Sequence, residues 1–126
     1  MIKNFLIINC IGKDDKLGLR INKDFFIENF TNKKNNDQLT TQILKFLNSH
    51  DVRLDKNFSV IVNQGPGSFS GIRIALAIAK GLEISKGVQI YGFKNDDLKQ
   101  FNQENIEKLL NKKLTEKKLI KPVYLS

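Results

Sequence analysis

The residues best suited to chemistry lie in one glycine-rich stretch, Gly65 to Arg73, which reads GPGSFSGIR. Turns of this kind, placed between a strand and a helix, often bind phosphate because free amides and the helix dipole attract anions. The spacing matches neither common phosphate motif. Gly71 is not followed by the Lys of a P-loop, and Ser70 stands where a dinucleotide fingerprint needs glycine. A phosphate site here is therefore an alternative that depends on the dipole argument alone.

The sequence does not contain the residues that a nucleophile elbow, a zinc site or a disulfide would need. The stretch Gly67 to Gly71 lacks the G-x-S-x-G spacing of a nucleophile elbow. A single histidine, His50, and a single cysteine, Cys10, make neither a zinc site nor an internal disulfide. We expect His50 to be solvated at a helix end, and the acidic doublets Asp14-Asp15 and Asp96-Asp97 to be solvated loop residues. The sequence predicts no catalytic residue, no cofactor and no metal.

Length and charge set the broad class. A chain of 126 residues with 40% hydrophobic residues predicts one globular lobe. Its apolar runs fall short of the ~18 residues that span a bilayer, so we expect a cytoplasmic protein without a membrane partner. The net charge of +8 suggests nucleic acid, but the lysines are scattered apart from a cluster at Lys112, Lys113, Lys117 and Lys118.

The elements that must position the glycine turn predict an α/β fold. Three short apolar runs, 5–8, 17–21 and 25–30, indicate an antiparallel meander. A helix follows with a stripe of Leu39, Ile43, Phe46 and Leu47, then strand 58–62, helix 72–84, a stop at Gly87 and strand 88–93. Right-handed crossovers make the last two strands parallel.

Beyond residue 94 the pattern changes. We predict a weak helix over 96–103, a stronger one over 104–114 and an extended tail from Lys121 to Ser126. The expected organisation is a lobe over 1–94, followed by a helical linker and tail over 95–126.

The helix after the turn is apolar around most of its circumference, with Arg73, Lys80 and Glu83 leaving a narrow polar strip. Such a helix is buried on more than one side. The small residues Ala77, Gly81 and Ser85 recur every four positions and would admit a second helix at close range. Its outer side is therefore either internal core or a binding surface.

The stretch from Val60 to Phe93 resembles the signature region of the TsaB (YeaZ) family, which takes part in making threonylcarbamoyladenosine at position 37 of tRNA. Gly65 to Gly71, Arg73, Ala79-Lys80-Gly81 and Gly87 match its pattern, and Pro122 to Leu125 is similar to the family's closing P-x-Y-L-R. The resemblance implies an actin-like, ribonuclease H-like lobe with a five-stranded mixed sheet.

Two departures from the family pattern stand out. Most of the second lobe is missing, bridged by residues 95–121. The first strand ends in Asn9-Cys10-Ile11-Gly12, where actin-like ATPases have an Asp-Thr-Ser-like turn facing the nucleotide phosphates. A single lobe without that Asp is not expected to hydrolyse ATP by their mechanism.

The resemblance implies a non-catalytic scaffold that forms a heterodimer with the TsaD-like catalytic subunit. A TsaE-like ATPase joins the complex, tRNA is engaged indirectly, and a homodimer is expected when the partner is absent. The family pairs through the two helices of its first lobe. The predicted interface residues are Leu39, Gln42, Ile43, Gly71, Ile74, Ala77, Ile78 and Gly81. The predicted structural turn consists of Gly65, Pro66, Gly67, Ser68, Gly71 and Arg73.

Two other hypotheses remain at this stage. One is a stand-alone nucleotide- or phosphate-binding protein that uses the amides of Gly65 to Gly71. The other is a small basic module that binds tRNA through its lysine-rich tail.

Overall fold

A computed structural model of the chain describes residues 3–12, 15–29, 36–67 and 69–112. The tail over 121–126 lies outside the described residues, as do most of the lysines of the C-terminal cluster. In chain order the elements are β1 (Asn4–Asn9), β2 (Lys16–Ile21), β3 (Asp24–Asn29), α1 (Asn36–Ser49), β4 (Phe58–Asn63), α2 (Phe69–Lys86), β5 (Gln89–Phe93), a 3-10 turn (Asn95–Asp97) and α3 (Gln103–Asn111).

The strands form one mixed sheet in the order β3-β2-β1-β4-β5. Strands β1, β2 and β3 pair antiparallel, which confirms the meander. Strand β4 pairs in parallel with both β1 and β5. The predicted fold class is therefore confirmed. The parallel strands place their carboxyl ends, at Asn9, Asn63 and Phe93, along one edge of the sheet.

Both faces of the sheet are covered by helices, because β1 is apolar at consecutive positions. Leu6 and Ile8 point into a core shared with α1 and α2, which we call the first face. Phe5 and Ile7 point into a second core with Ile61 and the α3 residue Ile106, which we call the second face. All four β1 side chains are fully buried. The strand is therefore buried on both faces, in keeping with its unbroken apolar run.

The segment after β5 departs from the predicted weak helix over 96–103. Only the single turn Asn95–Asp97 is helical, and Leu98 is extended. Leu98 and Phe101 pack against the second face, and the chain bends at residues 99 and 100 between them, so the helix does not continue. Helix α3 then begins at Asn102, whose side chain accepts the Asn105 N–H at 2.8 Å. Residues 95–112 thus pack onto the sheet, while the domain boundary at residue 94 stays a prediction.

Helix α2 ends as predicted, because Gly87 takes a positive φ of 75° that suits a helix stop. It begins at Phe69, three residues earlier than the apolar run indicated. No helix in the described parts of the chain has both the length and the hydropathy to cross a bilayer.

Candidate functional site

The glycine turn is packed against the turn that follows β1. A Cβ added to Gly67 would lie 2.6 Å from Ile11 Cβ and 2.9 Å from its carbonyl oxygen. A Cβ on Gly71 would lie 2.6 Å from the Cys10 carbonyl oxygen. Both glycines are therefore needed for a close approach between two backbones of this chain. The Gly65–Pro66 peptide is cis.

These contacts bear on the phosphate alternative. The side of the turn that the missing Cβ atoms open is occupied by residues 10 and 11 and not by space for a ligand. Gly67 and Gly71 are thus explained by packing within the chain. The proposal of a phosphate site still depends only on the attraction between the α2 dipole and an anion. Arg73 is exposed on the first turns of α2.

The outer surface of α2 is an exposed apolar face. It consists of Ile74, Ala77, Ile78, Gly81 and Ile84, which stand at i, i+3, i+4, i+7 and i+10 and so share one side of the helix. Ile84 is 86% exposed, and a Cβ added to Gly81 would meet nothing within 4 Å. Ile74 and Ile78 are half-buried at the margin of the core. We call these five residues the α2 face.

The α1 residues of the predicted interface are engaged within the chain. Leu39 and Ile43 are 3% and 0% exposed and belong to the core of the first face. Gln42 donates from Nε2 to Glu28 Oε2 at 3.1 Å and to the Asn29 carbonyl oxygen at 3.0 Å. Leu44, which the sequence reasoning missed, is exposed and apolar on this helix. The pairing surface itself stays a prediction.

At the carboxyl edge of the sheet the structure brings together three asparagines that the sequence reasoning did not connect. Asn63 Nδ2 donates to Asn9 Oδ1 at 2.6 Å and to Asn95 Oδ1 at 3.1 Å. The Gly65 N–H donates to Asn63 Oδ1 at 2.8 Å. This network fixes the start of the glycine turn to the ends of β1 and β5. The only feature of the sequence that relates the three asparagines is their position, because each lies at the end of a predicted strand or just beyond it.

The turn after β1 is held by a carboxylate. Asp15 Oδ1 accepts the N–H groups of Ile11 at 3.1 Å and Gly12 at 2.9 Å. The Cys10 thiol lies 3.5 Å from Asp15 Oδ2 as a donor. Asp15 is therefore buried and structural, so its expected place in a solvated doublet is wrong. The carboxylate accepts from residues three and four positions before it, which the sequence doublet alone does not reveal.

His50 also differs from the expectation of a solvated helix end. Its ring stacks on Phe26 at a centroid distance of 4.0 Å and meets Phe46 edge-on at 5.3 Å. The histidine thus joins α1 to β3 and is not placed beside another chemically active side chain. Among the described residues, no group of three His, Cys, Asp or Glu side chains is arranged to hold a metal ion.

An antiparallel meander continued by parallel β-α-β units, with helices on both faces, defines this chain as an actin-like, ribonuclease H-like lobe. The family model described as TsaD: tRNA N6-adenosine threonylcarbamoyltransferase matches residues 29–95, which is more than half of the chain. The chain belongs to this family. A comparison with curated proteins gives no significant match.

Two solved structures show the same fold. YeaZ from Pseudomonas aeruginosa is 18% identical with a TM-score of 0.64, and the match covers 76% of this chain and 45% of YeaZ. A Pseudomonas aeruginosa protein described as similar to peptidase YeaZ is 19% identical with a TM-score of 0.64, covering 76% of this chain and 44% of that one. The resemblance to the TsaB (YeaZ) family is thus confirmed in fold. The chain spans less than half the length of these structures.

Proposed function

We propose that this chain is a non-catalytic scaffold subunit that pairs with a TsaD-like catalytic subunit. The pair would act in forming threonylcarbamoyladenosine at position 37 of tRNA, in the cytoplasm. Family membership over residues 29–95 and the YeaZ-like fold support this role. A TsaE-like ATPase joins through the complex, and tRNA is engaged through the complex. Without its partner the chain is proposed to homodimerise.

The observation that carries the proposal is the exposed α2 face. Burying a large aliphatic side chain contributes about 1.5–3 kcal/mol, and Ile84 leaves most of that area in water. Ala77 and Gly81 add little bulk, so a partner helix can approach to the short end of the ~8–10 Å interaxial range. An apolar face with a shallow centre is suited to a helix and poorly suited to a small ligand.

The non-catalytic part of the proposal is supported by the end of β1. Asn9 supplies a neutral amide at the position where the family resemblance leads us to expect a carboxylate. An amide neither accepts a proton as a general base nor carries the negative charge that favours a phosphate-bound Mg²⁺. The nearby carboxylate of Asp15 is turned to the backbone of its own turn.

The test is co-expression with the TsaD-like protein of the same organism, followed by size-exclusion chromatography. We expect one heterodimer peak, and Gly81→Leu or Ala77→Glu should weaken association by at least about tenfold while leaving the circular dichroism spectrum unchanged. Ile27→Glu is the matched control, because Ile27 is an exposed apolar residue on β3, outside the α2 face.

Each outcome has a distinct meaning. Two independent monomer peaks for the unaltered pair would refute the scaffold role. Equal weakening by Ile27→Glu would place the interface elsewhere. Loss of the spectrum together with association in both α2 variants would show that the α2 face is core.

A further inference from the structure

Strand β3 forms one outer edge of the sheet, since it stands last in the strand order and pairs on one side only, with β2, among the described residues. Natural proteins usually protect such an edge with lysine, proline, a bulge or a covering segment. β3 contains no lysine and no proline, and its register with β2 runs without a bulge over all six residues. Ile27, near its centre, is 45% exposed. The edge is therefore suited to pairing with a further strand.

Every second residue of β3 directs its backbone polar groups away from β2. The loop Asn22-Lys23 has two residues, so Ile21 and Asp24 beside it exchange hydrogen bonds, and bonded pairs then recur at every second position. Phe25 and Ile27 lie between bonded pairs and point their N–H and C=O groups outward. No other strand of the described chain pairs with these groups. A strand placed beside β3 would satisfy them.

The chain that follows α3 is close enough to reach this edge. Glu107 of α3 meets Arg20 at 3.1 Å, and Arg20 stands opposite Phe25 in the register of β2 with β3. The described chain ends at Lys112, about 8 Å further along the helix than Glu107. Residues 113–126, which lie outside the described residues, can span up to ~46 Å, whereas a six-residue strand is about 20 Å long. Both ends of β3 are therefore within reach.

The sequence at the end of the chain suits an edge strand. The tail that we predict to be extended, Lys121 to Ser126, contains Val123 and Tyr124, which are residue types that favour strands. Pro122 has no N–H, so in a sheet it fits an edge strand with its nitrogen directed outward. Because backbone groups alternate along a strand, the N–H of Val123 then faces the neighbouring strand.

Charge complementarity favours this tail over a second copy of β3. The charged residues of β3 are Asp24 and Glu28, and both are acidic. Residues 113–126 contain one acidic residue, Glu116, and four lysines, which are Lys113, Lys117, Lys118 and Lys121. Two β3 strands side by side would bring like charges together, whereas the lysine-rich segment brings opposite charge. The tether also gives the tail an effective concentration in the millimolar range.

From these observations we propose that the tail of the same chain adds to the sheet as a sixth strand beside β3. Its backbone pairs with the outward groups of Phe25 and Ile27, and its apolar side chains cover Ile27. The lysine-rich segment is then held on the lobe, which leaves it less available to tRNA than the basic-module hypothesis requires. The proposal uses the β3 edge and not the α2 face, so it does not depend on pairing with a TsaD-like subunit.

Amide hydrogen exchange of the full chain, followed residue by residue by NMR, tests the proposal. We expect slow exchange at the N–H groups of Phe25 and Ile27, and Val123→Pro, which removes the central donor of the tail, should accelerate both by at least about tenfold. The N–H of Phe26, which is bonded to β2, should stay slow in this variant and thereby shows that the sheet is intact. Thr115→Pro is the matched control, because it introduces the same residue type outside the tail.

A mixing experiment shows whose tail is bound. Isotope-labelled Val123→Pro chain is mixed with an excess of unlabelled, unaltered chain, and exchange at Ile27 of the labelled chain should stay fast. Restored slow exchange would overturn the proposal, because the tail would come from a second copy. Fast exchange at Phe25 and Ile27 in the unaltered chain also overturns it. Slow exchange that Val123→Pro leaves unchanged, as pairing of two β3 strands would give, overturns it as well, and so does equal acceleration by Thr115→Pro.

Discussion

The two faces of the sheet are covered in different ways. On the first face lie α1 with 14 residues and α2 with 18, side by side over one continuous core. On the second face lie the nine-residue α3 and the irregular segment before it. Part of the α2 surface on the first face therefore does not pack against the sheet, and this part is the apolar α2 face. The second face is covered incompletely at its carboxyl edge, where a pocket of about 510 Å³ lies between the end of β1, the start of β2 and the segment before α3.

The α2 face and the pocket lie on opposite faces of the sheet. A partner on the α2 face would not reach the pocket, because the sheet lies between them. The difference also predicts that the two cores respond differently to the same change.

The largest expected effect compares two neighbours on β1. Ile8 is buried on the first face and Ile7 on the second, and both are fully buried. Ile→Ala in a core costs about 2–5 kcal/mol, depending on how far the surroundings collapse into the cavity. We expect Ile8→Ala near the top of this range, since two long helices cannot move inward easily, and Ile7→Ala near the bottom. Urea unfolding of both variants measures the difference, and an equal or larger cost for Ile7→Ala would contradict it.

The next effect compares a glycine under each face. A Cβ at Gly71 meets the Cys10 carbonyl oxygen at 2.6 Å, and this backbone atom cannot turn away. A Cβ at Gly18 meets Ile7 Cγ2 at 2.7 Å and the edge of the Phe101 ring, both of which belong to side chains. We expect Gly71→Ala to lower the free energy of unfolding by about 1–2 kcal/mol, and Gly18→Ala to change it by less than about 1 kcal/mol.

Gly81→Ala is the control for this pair. It lies within α2 with open space around the new methyl group, so helix propensity alone should raise the free energy of unfolding by up to about 1 kcal/mol. Thermal unfolding of the three variants gives their order. A stabilised Gly71→Ala would show that α2 is not held against the β1–β2 turn.

Much of this fold follows from short-range patterns in the sequence. The run Phe5 to Ile8 is apolar at every position, which predicts a strand covered on both sides. The i, i+4, i+7 stripe of Leu39, Ile43 and Phe46 predicts the buried side of α1. Such patterns report burial directly, because they depend only on the 2.0 and 3.6 periods of strand and helix.

The features that the sequence did not predict depend on contacts between distant segments. Asn9, Asn63 and Asn95 meet because three strand ends share one edge, and no local pattern joins them. Residues 98–102 are predicted as helix, yet Leu98 and Phe101 pack onto the sheet and the chain bends between them. In both cases tertiary contacts override local preference. The burial of Asp15 is different, because its bonds are local and join it to residues only three and four positions earlier.

The smallest effect tests what holds α3 on the second face. Arg20 Nη1 on β2 meets Glu107 Oε1 on α3 at 3.1 Å, with the two side chains 27% and 37% exposed. Pairs this exposed contribute about 0–1 kcal/mol, and salt screens them. A double-mutant cycle of Arg20→Met and Glu107→Ala should give a coupling of about 0.5–1 kcal/mol in 0.1 M NaCl that falls in 1 M NaCl. The Lys108–Glu104 pair within α3, which is more exposed, is the control and should couple less. A coupling near zero for Arg20 and Glu107 would mean that apolar packing alone holds α3 on the second face.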